Sequence, residues 1–496
     1  MRLNVYKLYL LIITALATLN SCNQNYKNSD DCLGYKINYI QSSKELLVIF
    51  EYASDENGEI KLKYENNSWG DENIFDCIAS FNVIPEPTNV EFDRDSSYVI
   101  IKTTPNQNSQ ISYAIKQDFE EKPINQKRYR PIIDSTYFHV LGMRLFMLPA
   151  EAFDSRDHTA RIHLSWKLPE KWPYHSSFGI EQDQEIVVNQ EELYSSIFVG
   201  GDFRRYEFKY KEKPVYFLSR GNWEKIQDDQ VLQLLKEVIQ SQYTFWDDEI
   251  IDRYSVTLLP TYEKRSYSIG GSGLTDSFVS FASNNKYLQL DDLRWLYNHE
   301  LMHKWISQTI KIEEEVTDYW FSEGFTDYYA YKLMLKNNDV SLQEYLDIYN
   351  NTILKPHYTS NVGEAPNSDL TYESYWSNYD FQKLPYRRGM LYAFFIDNQI
   401  KKRNHNEISL DNMMKELKGL AETEVNFRVG ADSFKELLVQ YLDDTAAQDF
   451  DKYILEGSFI ESDNLLVDGL EIISEDNYPQ FKLAENSEGL LSFLAK

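Results

Sequence analysis

The chain has 496 residues, too many for one ordinary compact domain, and the length prior is roughly three domains. Hydrophobic residues make up 42% and charged residues 26%, which excludes a wholly disordered chain and a polytopic membrane protein. With 50 basic and 78 acidic side chains the net charge is −28, which argues against a nucleic-acid partner and against attraction to anionic headgroups.

The first segment reads as an address. Arg2 and Lys7 flank the start of a mostly apolar run, Leu8 to Leu19, whose 12 residues are too few for a stable membrane span. The run ends in Leu19-Asn20-Ser21-Cys22, which resembles a bacterial lipobox. That resemblance implies removal of residues 1–21 and lipidation of Cys22. An ordinary secretory signal with a chance cysteine is the alternative. Residues 22–31 are polar and read as a tether. The expectation is an exported protein, lipid-anchored to a cell-envelope membrane through its N-terminus only. Cys32 and Cys77 then meet an oxidising compartment and could form a disulfide, and two cysteines are too few for a zinc ribbon.

From 32 to 186 the pattern is short strands. Leu46 to Phe50, Tyr98 to Ile101, Ile111 to Ile115 and Ile162 to Trp166 are β-branched or aromatic runs, broken by turn residues such as Asn57-Gly58 and Pro85-Glu86-Pro87. This predicts an all-β domain. Residues 187–458 are mixed. Val231 to Trp246 has helical spacing, and Tyr254 to Leu259 and Ser277 to Phe281 read as strands around a small, glycine-rich stretch from Ser268 to Ser272. Helices then dominate, over about 291–308, 317–336, 342–353, 386–402, 409–421 and 431–442. Residues 459–496 read as an acidic, weakly patterned tail. The fold class is α+β, with the helices late.

The chemistry concentrates in His299-Glu300-Leu301-Met302-His303, an H-E-x-x-H pattern. On a helix, positions i and i+4 share a face, so both imidazoles can bind one metal ion, with zinc favoured, while Glu300 beside them can act on water. The chain has 8 histidines, and a chance match should arise roughly once in a hundred such sequences. A third ligand is available from Glu323 in Trp320-Phe321-Ser322-Glu323-Gly324-Phe325-Thr326-Asp327. Asp327, four residues on, could accept the free N–H of one histidine and orient its ring. Alone, Glu323 would read as a solvated helix glutamate.

His-Glu-Leu-Met-His-Lys-Trp followed by Ser-Glu-Gly-Phe-Thr-Asp-Tyr-Tyr resembles the gluzincin metallopeptidases, the group of aminopeptidase N, and is most similar to the glycyl aminopeptidase family. Leu384-Pro385-Tyr386-Arg387-Arg388-Gly389 resembles that family's tyrosine motif, with Arg388 in the place of a lysine. Ile396-Asp397, Ile408 to Met414, Trp69-Gly70 and Gly200 to Phe203 carry the likeness further, more weakly. The resemblance implies a thermolysin-like catalytic domain over 187–458 with one zinc ion per chain, held by His299, His303 and Glu323. It implies Glu300 as general base and then proton donor, and Tyr386 as hydrogen-bond donor to the oxyanion. Gly270, Gly271, Gly273, Thr275 and Asp276 would lie along a peptide substrate, although a plain glycine turn before a core strand fits that stretch almost as well.

The departures from the family pattern matter. The clan's aminopeptidases place a glutamate for the substrate α-amine in the glycine-rich segment, and here Thr275 stands at that position with Asp276 beside it. Nineteen residues separate His303 from Glu323, fewer than the glycyl family leads one to expect, and the 38 residues after Ser458 are too few for that family's PDZ domain. Aminopeptidase-type release of N-terminal residues is the expectation. An endopeptidase without an α-amine anchor, and a catalytically weak peptide-binding lipoprotein, are the rivals.

Overall fold

The computed structural model describes residues 32–120, 122–153, 158–263, 266–424, 426–475 and 478–496. The expected signal segment, lipidated Cys22 and tether lie outside the described residues. The chain divides into a first unit that runs through Phe203 and a second from Arg204 to Lys496 that also takes in Lys122–Asn125. The fold is α+β, with sheets dominating the first unit and helices the later part of the second.

The first unit is built on a six-stranded sheet of β1 (Cys32–Ile40), β2 (Glu45–Ala53), β3 (Ile78–Ile84), β4 (Asn108–Lys116), β5 (Ala160–Lys167) and β6 (Asp183–Val188), in the order β6-β5-β1-β2-β4-β3. Burial alternates strictly along β1 and β2, the period-2 signature of a sheet with one face in the core. Two four-stranded sheets complete the unit. One of them pairs Ile197–Gly201 with Tyr137–Leu141, so the chain returns for another strand after residue 186 and the unit extends beyond the expected boundary.

Three buried tyrosines organise this core. The hydroxyls of Tyr35, Tyr64 and Tyr113 donate to the carbonyls of Met147, Arg144 and Leu145 at 2.8, 2.9 and 2.8 Å. Each bond spares a buried carbonyl a desolvation cost of about 1–3 kcal/mol.

The expected Cys32–Cys77 disulfide does not form. Cys32 opens β1 and Cys77 immediately precedes β3, and β2 and β4 lie between those two strands. Three inter-strand steps span about 14 Å, about twice the Cα separation a disulfide bridges. Cys77 is a buried free thiol 3.8 Å from Arg130 Nη2, and burial pushes its pKa up to about 12.

In the second unit, β7 (Arg204–Tyr210), β8 (Lys213–Ser219), β9 (Tyr254–Thr261), β10 (Ile269–Leu274) and β11 (Ser277–Ser283) form one sheet in the order β7-β8-β9-β11-β10. The glycine-rich stretch is thus the edge strand β10, paired in the sheet with β11. Helix α1 (Asp228–Trp246) precedes β9, and α2 (Leu290–Met302) follows β11. The predicted helix over 291–308 stops at Met302, because residues 303–310 turn to bury Trp305, Ile306 and Ile310.

A π-helical turn, Trp320–Phe325, leads into α3 (Thr326–Lys336). After α4 (Tyr372–Ser377) comes the long α5 (Tyr379–Arg403), followed by α6 (Leu410–Thr423). Gly324 in the π turn meets Gly389 of α5 backbone to backbone. A Cβ built on Gly324 would lie 2.4 Å from Gly389 Cα, and one on Gly389 would lie 2.0 Å from the Trp320 carbonyl oxygen. Farther along, buried Asp397 of α5 accepts from Tyr328 and binds Lys401 Nζ at 2.7 Å and Lys332 Nζ at 3.4 Å. No helix among the described residues is long and apolar enough to cross a membrane.

The expected acidic tail is ordered structure. Leu470–Glu475 and Tyr478–Leu483 pair as a hairpin, and Asn350 exchanges two hydrogen bonds with the Phe481 backbone at 2.9 and 2.7 Å. Phe481, Leu490 and Leu494 are buried in the main core of the unit, and Lys401 Nζ donates to the Phe493 carbonyl at 2.8 Å. Widely spaced apolar residues among acids hid this packing from the pattern.

Gly389→Ala forces backbone against backbone, so it should cost about 3 kcal/mol or more. Urea unfolding checks this. A midpoint equal to wild type would show that the two helices can part freely.

Candidate active site

His299 and His303 reach one point because α2 carries the first and ends on the second. His303 is the C-cap residue with helical φ −59° and ψ −19°, so the i, i+4 geometry survives although the helix does not continue. The turn that follows is strained. Ser307 has φ +100°, a conformation that costs a side-chain-bearing residue about 1–3 kcal/mol. That turn brings the Ile306 carbonyl to 3.2 Å and Ser307 Oγ to 3.3 Å of His303 Nδ1.

His299 is fixed from the neighbouring helix. Its Nδ1 lies 2.9 Å from Asp327 Oδ1, which also accepts from Trp295 Nε1 at 3.2 Å. With Nδ1–H donated on both rings, Nε2 is the nitrogen that carries the lone pair when the ring is neutral. The two Nε2 atoms face each other at 3.1 Å, and Glu323 Oε2 lies 3.3 Å from that of His299 and 3.7 Å from that of His303. Glu323 stands on the π turn, a helix irregularity common at functional sites. Glu323 and Asp327 thus grip opposite nitrogens of one imidazole.

This donor set fits a metal ion. Ligand atoms of His299, His303 and Glu323 all lie within 4.8 Å of one another, and Glu323 Oε2 is buried with no hydrogen-bond partner. Two imidazole nitrogens and a carboxylate oxygen are the donors that tetrahedral zinc takes while keeping a fourth position open. The electrostatics also call for a cation. Burial opposes a charge on His299, but the Asp327 carboxylate outweighs it and holds the pKa up at about 10. Burial pulls His303 down. Burial would raise Glu323, but the two histidines and a hydrogen bond from Tyr386 hold it down at about 2.

Glu300 is buried beside this point. Strand β10 passes directly over it. A Cβ on Gly271 would lie 2.6 Å from Glu300 Cδ and Oε1, and one on Gly273 would lie 2.6 Å from His303 Cβ. The glycines are what let an edge strand lie on the helix that carries the motif. Gly270, Gly271 and Gly273 therefore belong to the site wall. Thr275 and Asp276 form the turn into β11, and the Asp276 carboxylate lies 3.3 Å from Lys304 Nζ, outside the group of converging ligand atoms.

The Tyr386 ring lies nearly parallel to that of His299, at 6.0 Å between centroids and 17° between planes. Burial and the adjacent Glu323 charge raise its pKa well above that of a free phenol, so the hydroxyl keeps its proton. Pro385 interrupts the α5 hydrogen-bond ladder one residue before it. Arg388 is buried and donates to the carbonyls of Ile454, Gly363 and Ala365 at 3.3, 3.2 and 2.6 Å. It is a structural clamp. Trp69-Gly70 and Gly200 to Phe203 lie in the first unit.

Sequence reasoning missed Trp295, the Ile306 carbonyl and Ser307. Trp295 stands four residues before His299, so helical spacing could have found it. The other two depend on where α2 ends, which the pattern placed six residues too late.

No protein-family model matches the chain, and no curated protein is significantly similar to it in sequence. Solved structures do resemble it. An aminopeptidase N family protein from Idiomarina loihiensis superposes with a TM-score of 0.71 at 16% identity, over 90% of this chain and 80% of that one. An M1 zinc metallopeptidase from Deinococcus radiodurans gives 0.50 at 12% identity, over 86% and 94%. A two-domain M1 zinc metallopeptidase mutant bound to L-tryptophan gives 0.51 at 12% identity, over 87% and 95%. At these identities the likeness establishes the fold.

Asp327→Asn keeps the shape but loses the carboxylate that orients His299. Zinc affinity, read by chelator competition, should fall about 10–100-fold with the fold retained. Unchanged affinity would remove Asp327 from the site. Gly271→Ala should displace the Glu300 carboxylate and lower peptide turnover by about tenfold or more at constant zinc content. Wild-type turnover in that variant would show that β10 does not confine Glu300.

Proposed function

We propose that this protein is a zinc-dependent peptidase that releases N-terminal residues from peptides. The observation that carries the reading is the convergence of His299 Nε2, His303 Nε2 and Glu323 Oε2, with Glu300 and Tyr386 beside them. His299, His303 and Glu323 would hold one zinc ion. When bound, it supplies Lewis acidity that polarises a carbonyl and makes water nucleophilic at neutral pH. Glu300 accepts the proton of the attacking water and returns it to the departing amine. Tyr386, whose hydroxyl stays protonated, donates to the oxygen that gains charge. Strand β10 stands at the edge of its sheet, where an extended peptide would lie alongside it. The fold shared with an aminopeptidase N family protein supports exopeptidase action, as does the single amino acid bound by the two-domain neighbour.

Endopeptidase action is favoured by a different observation. Asp276, the acid nearest the expected α-amine position, pairs with Lys304. We also propose, from Leu19 to Cys22 and the run before it, that the protein is exported and lipid-anchored to the cell envelope, with peptides as its partners.

Incubation of zinc-loaded protein with a peptide library, half of it N-acetylated, tests the reading by mass spectrometry. Trimming of free N-termini only is expected, and internal cuts indifferent to acetylation would make it an endopeptidase. Glu300→Gln should retain zinc and lose about 1,000-fold or more in kcat. A Glu300→Gln enzyme as active as wild type would sink the assignment of the base.

A further inference from the structure

Helix α5 carries Tyr386 near its start. Its second half borders a cavity of about 430 Å³, a size that falls among small-molecule sites. Tyr392, Phe395, Gln399, Lys402 and Arg403 line the cavity from α5, at helical spacings that put them on one face. Across from them, α7 (Asp444–Phe450) contributes Ala446 and Asp449, with Leu442 just before it.

The two ends of the cavity differ in what they leave unpaired. At the C-terminal end of α5 both cations are taken. Lys402 Nζ donates to the Leu466 carbonyl at 2.6 Å, and Arg403 pairs with Asp443 at 2.6 Å. Farther back along α5 the position is reversed. Tyr392 is fully buried, and its hydroxyl has no hydrogen-bond partner among the described residues. A buried hydroxyl left in that state is costly. The Asp449 carboxylate is close enough to help burial raise the pKa of this phenol. Asp449 is itself raised by burial and by the charges of Glu461 and Asp443, against the pull of Lys452. Lys452 pairs with Glu461 instead. The cavity thus holds an acid short of counter-charge and a phenol short of a partner.

Those two groups select the ligand. An anion would face Asp449, and it could reach a cation only by displacing Leu466 or Asp443. A neutral alcohol could serve Tyr392 but would leave the carboxylate uncompensated. A hard metal ion takes about six or more oxygens. Asp443, the other acid on the wall, is held by Arg403 and accepts from the Thr445 backbone at 3.0 Å. A primary ammonium group brings several N–H donors, and Asp449, Tyr392 and the Gln399 side-chain carbonyl are acceptors on the wall. Phe395, Leu442 and Ala446 offer apolar surface to a carbon body, and an aromatic ring adds attraction for a cation.

We propose that this cavity binds a primary ammonium ion carried on a short apolar body. The inference is independent of the peptidase reading. n-Pentylammonium tests it, titrated calorimetrically into the zinc-loaded protein beside pentan-1-ol and pentanoate. It should bind at a site that Asp449→Asn weakens by about tenfold or more and Tyr392→Phe by about fivefold. Asp444→Asn, which neutralises an exposed acid on the same helix, should leave binding unchanged. Without ligand, Tyr392→Phe should melt at or above the wild-type temperature, because the hydroxyl it deletes has no partner. No measurable binding, binding that pentan-1-ol matches, or binding lost equally in Asp444→Asn would overturn the site. Pentylammonium held at the zinc centre instead would bind all three variants alike, which also overturns it. So does a lower melting temperature for Tyr392→Phe, since that would reveal a partner already in place.

Discussion

Two helical segments reach backbone contact only where neither carries a side chain at the crossing. Gly324 and Gly389 meet that condition, and the site depends on it. Glu323 is the residue before one glycine and Tyr386 lies three before the other, so the crossing sets the separation of the carboxylate and the phenol. Trp320, fully buried against Phe434 and Phe450 at 4.9 and 5.0 Å, presses the π turn into place from behind. The Lys332–Asp397–Lys401 group repeats the connection one end along, between α3 and α5, with charge in place of close packing. A buried group of this kind adds little net stability, but it penalises any register in which one charge lacks its partner.

The other half of the site is held by strain and by absence. Ser307 and Val316 occupy left-handed backbone conformations in the segment that joins His303 to Glu323. Gly271 and Gly273 contribute no side chain, which lets a sheet edge rest on α2. These features oppose local preference, and they persist only because the surrounding packing outweighs them. Such departures concentrate where geometry must be held for a purpose other than stability.

Much of this was legible in the chain. His299, Glu300 and His303 follow from helical spacing, and Asp327 from its place four residues after Glu323. Tyr386 was not readable from its surroundings, since one tyrosine among 37 carries no local signal, and the resemblance alone singled it out. The end of α2 was misplaced because residues 304–306 continue an apolar, helix-compatible pattern and only the burial of Trp305 and Ile306 turns the chain. The pairing of Cys32 with Cys77 failed for the same kind of reason, since strand order in a sheet is a long-range property. The ordered C-terminal segment was hidden because its few apolar residues find partners more than a hundred positions away, as Phe481 does at Asn350.

The tyrosine-rich composition takes on a different meaning beside the hydroxyls of Tyr35, Tyr64 and Tyr113. Within Arg144 to Met147, three of the four carbonyls are captured by rings from three different strands or strand ends. A phenylalanine at any of these positions would match the shape and still leave an oxygen stranded in the core. The first unit is therefore less tolerant of drift than an aliphatic sandwich of equal size. Its tyrosines are read twice, once as volume and once as a donor at a fixed height above the sheet, and a neutral exchange must satisfy both readings.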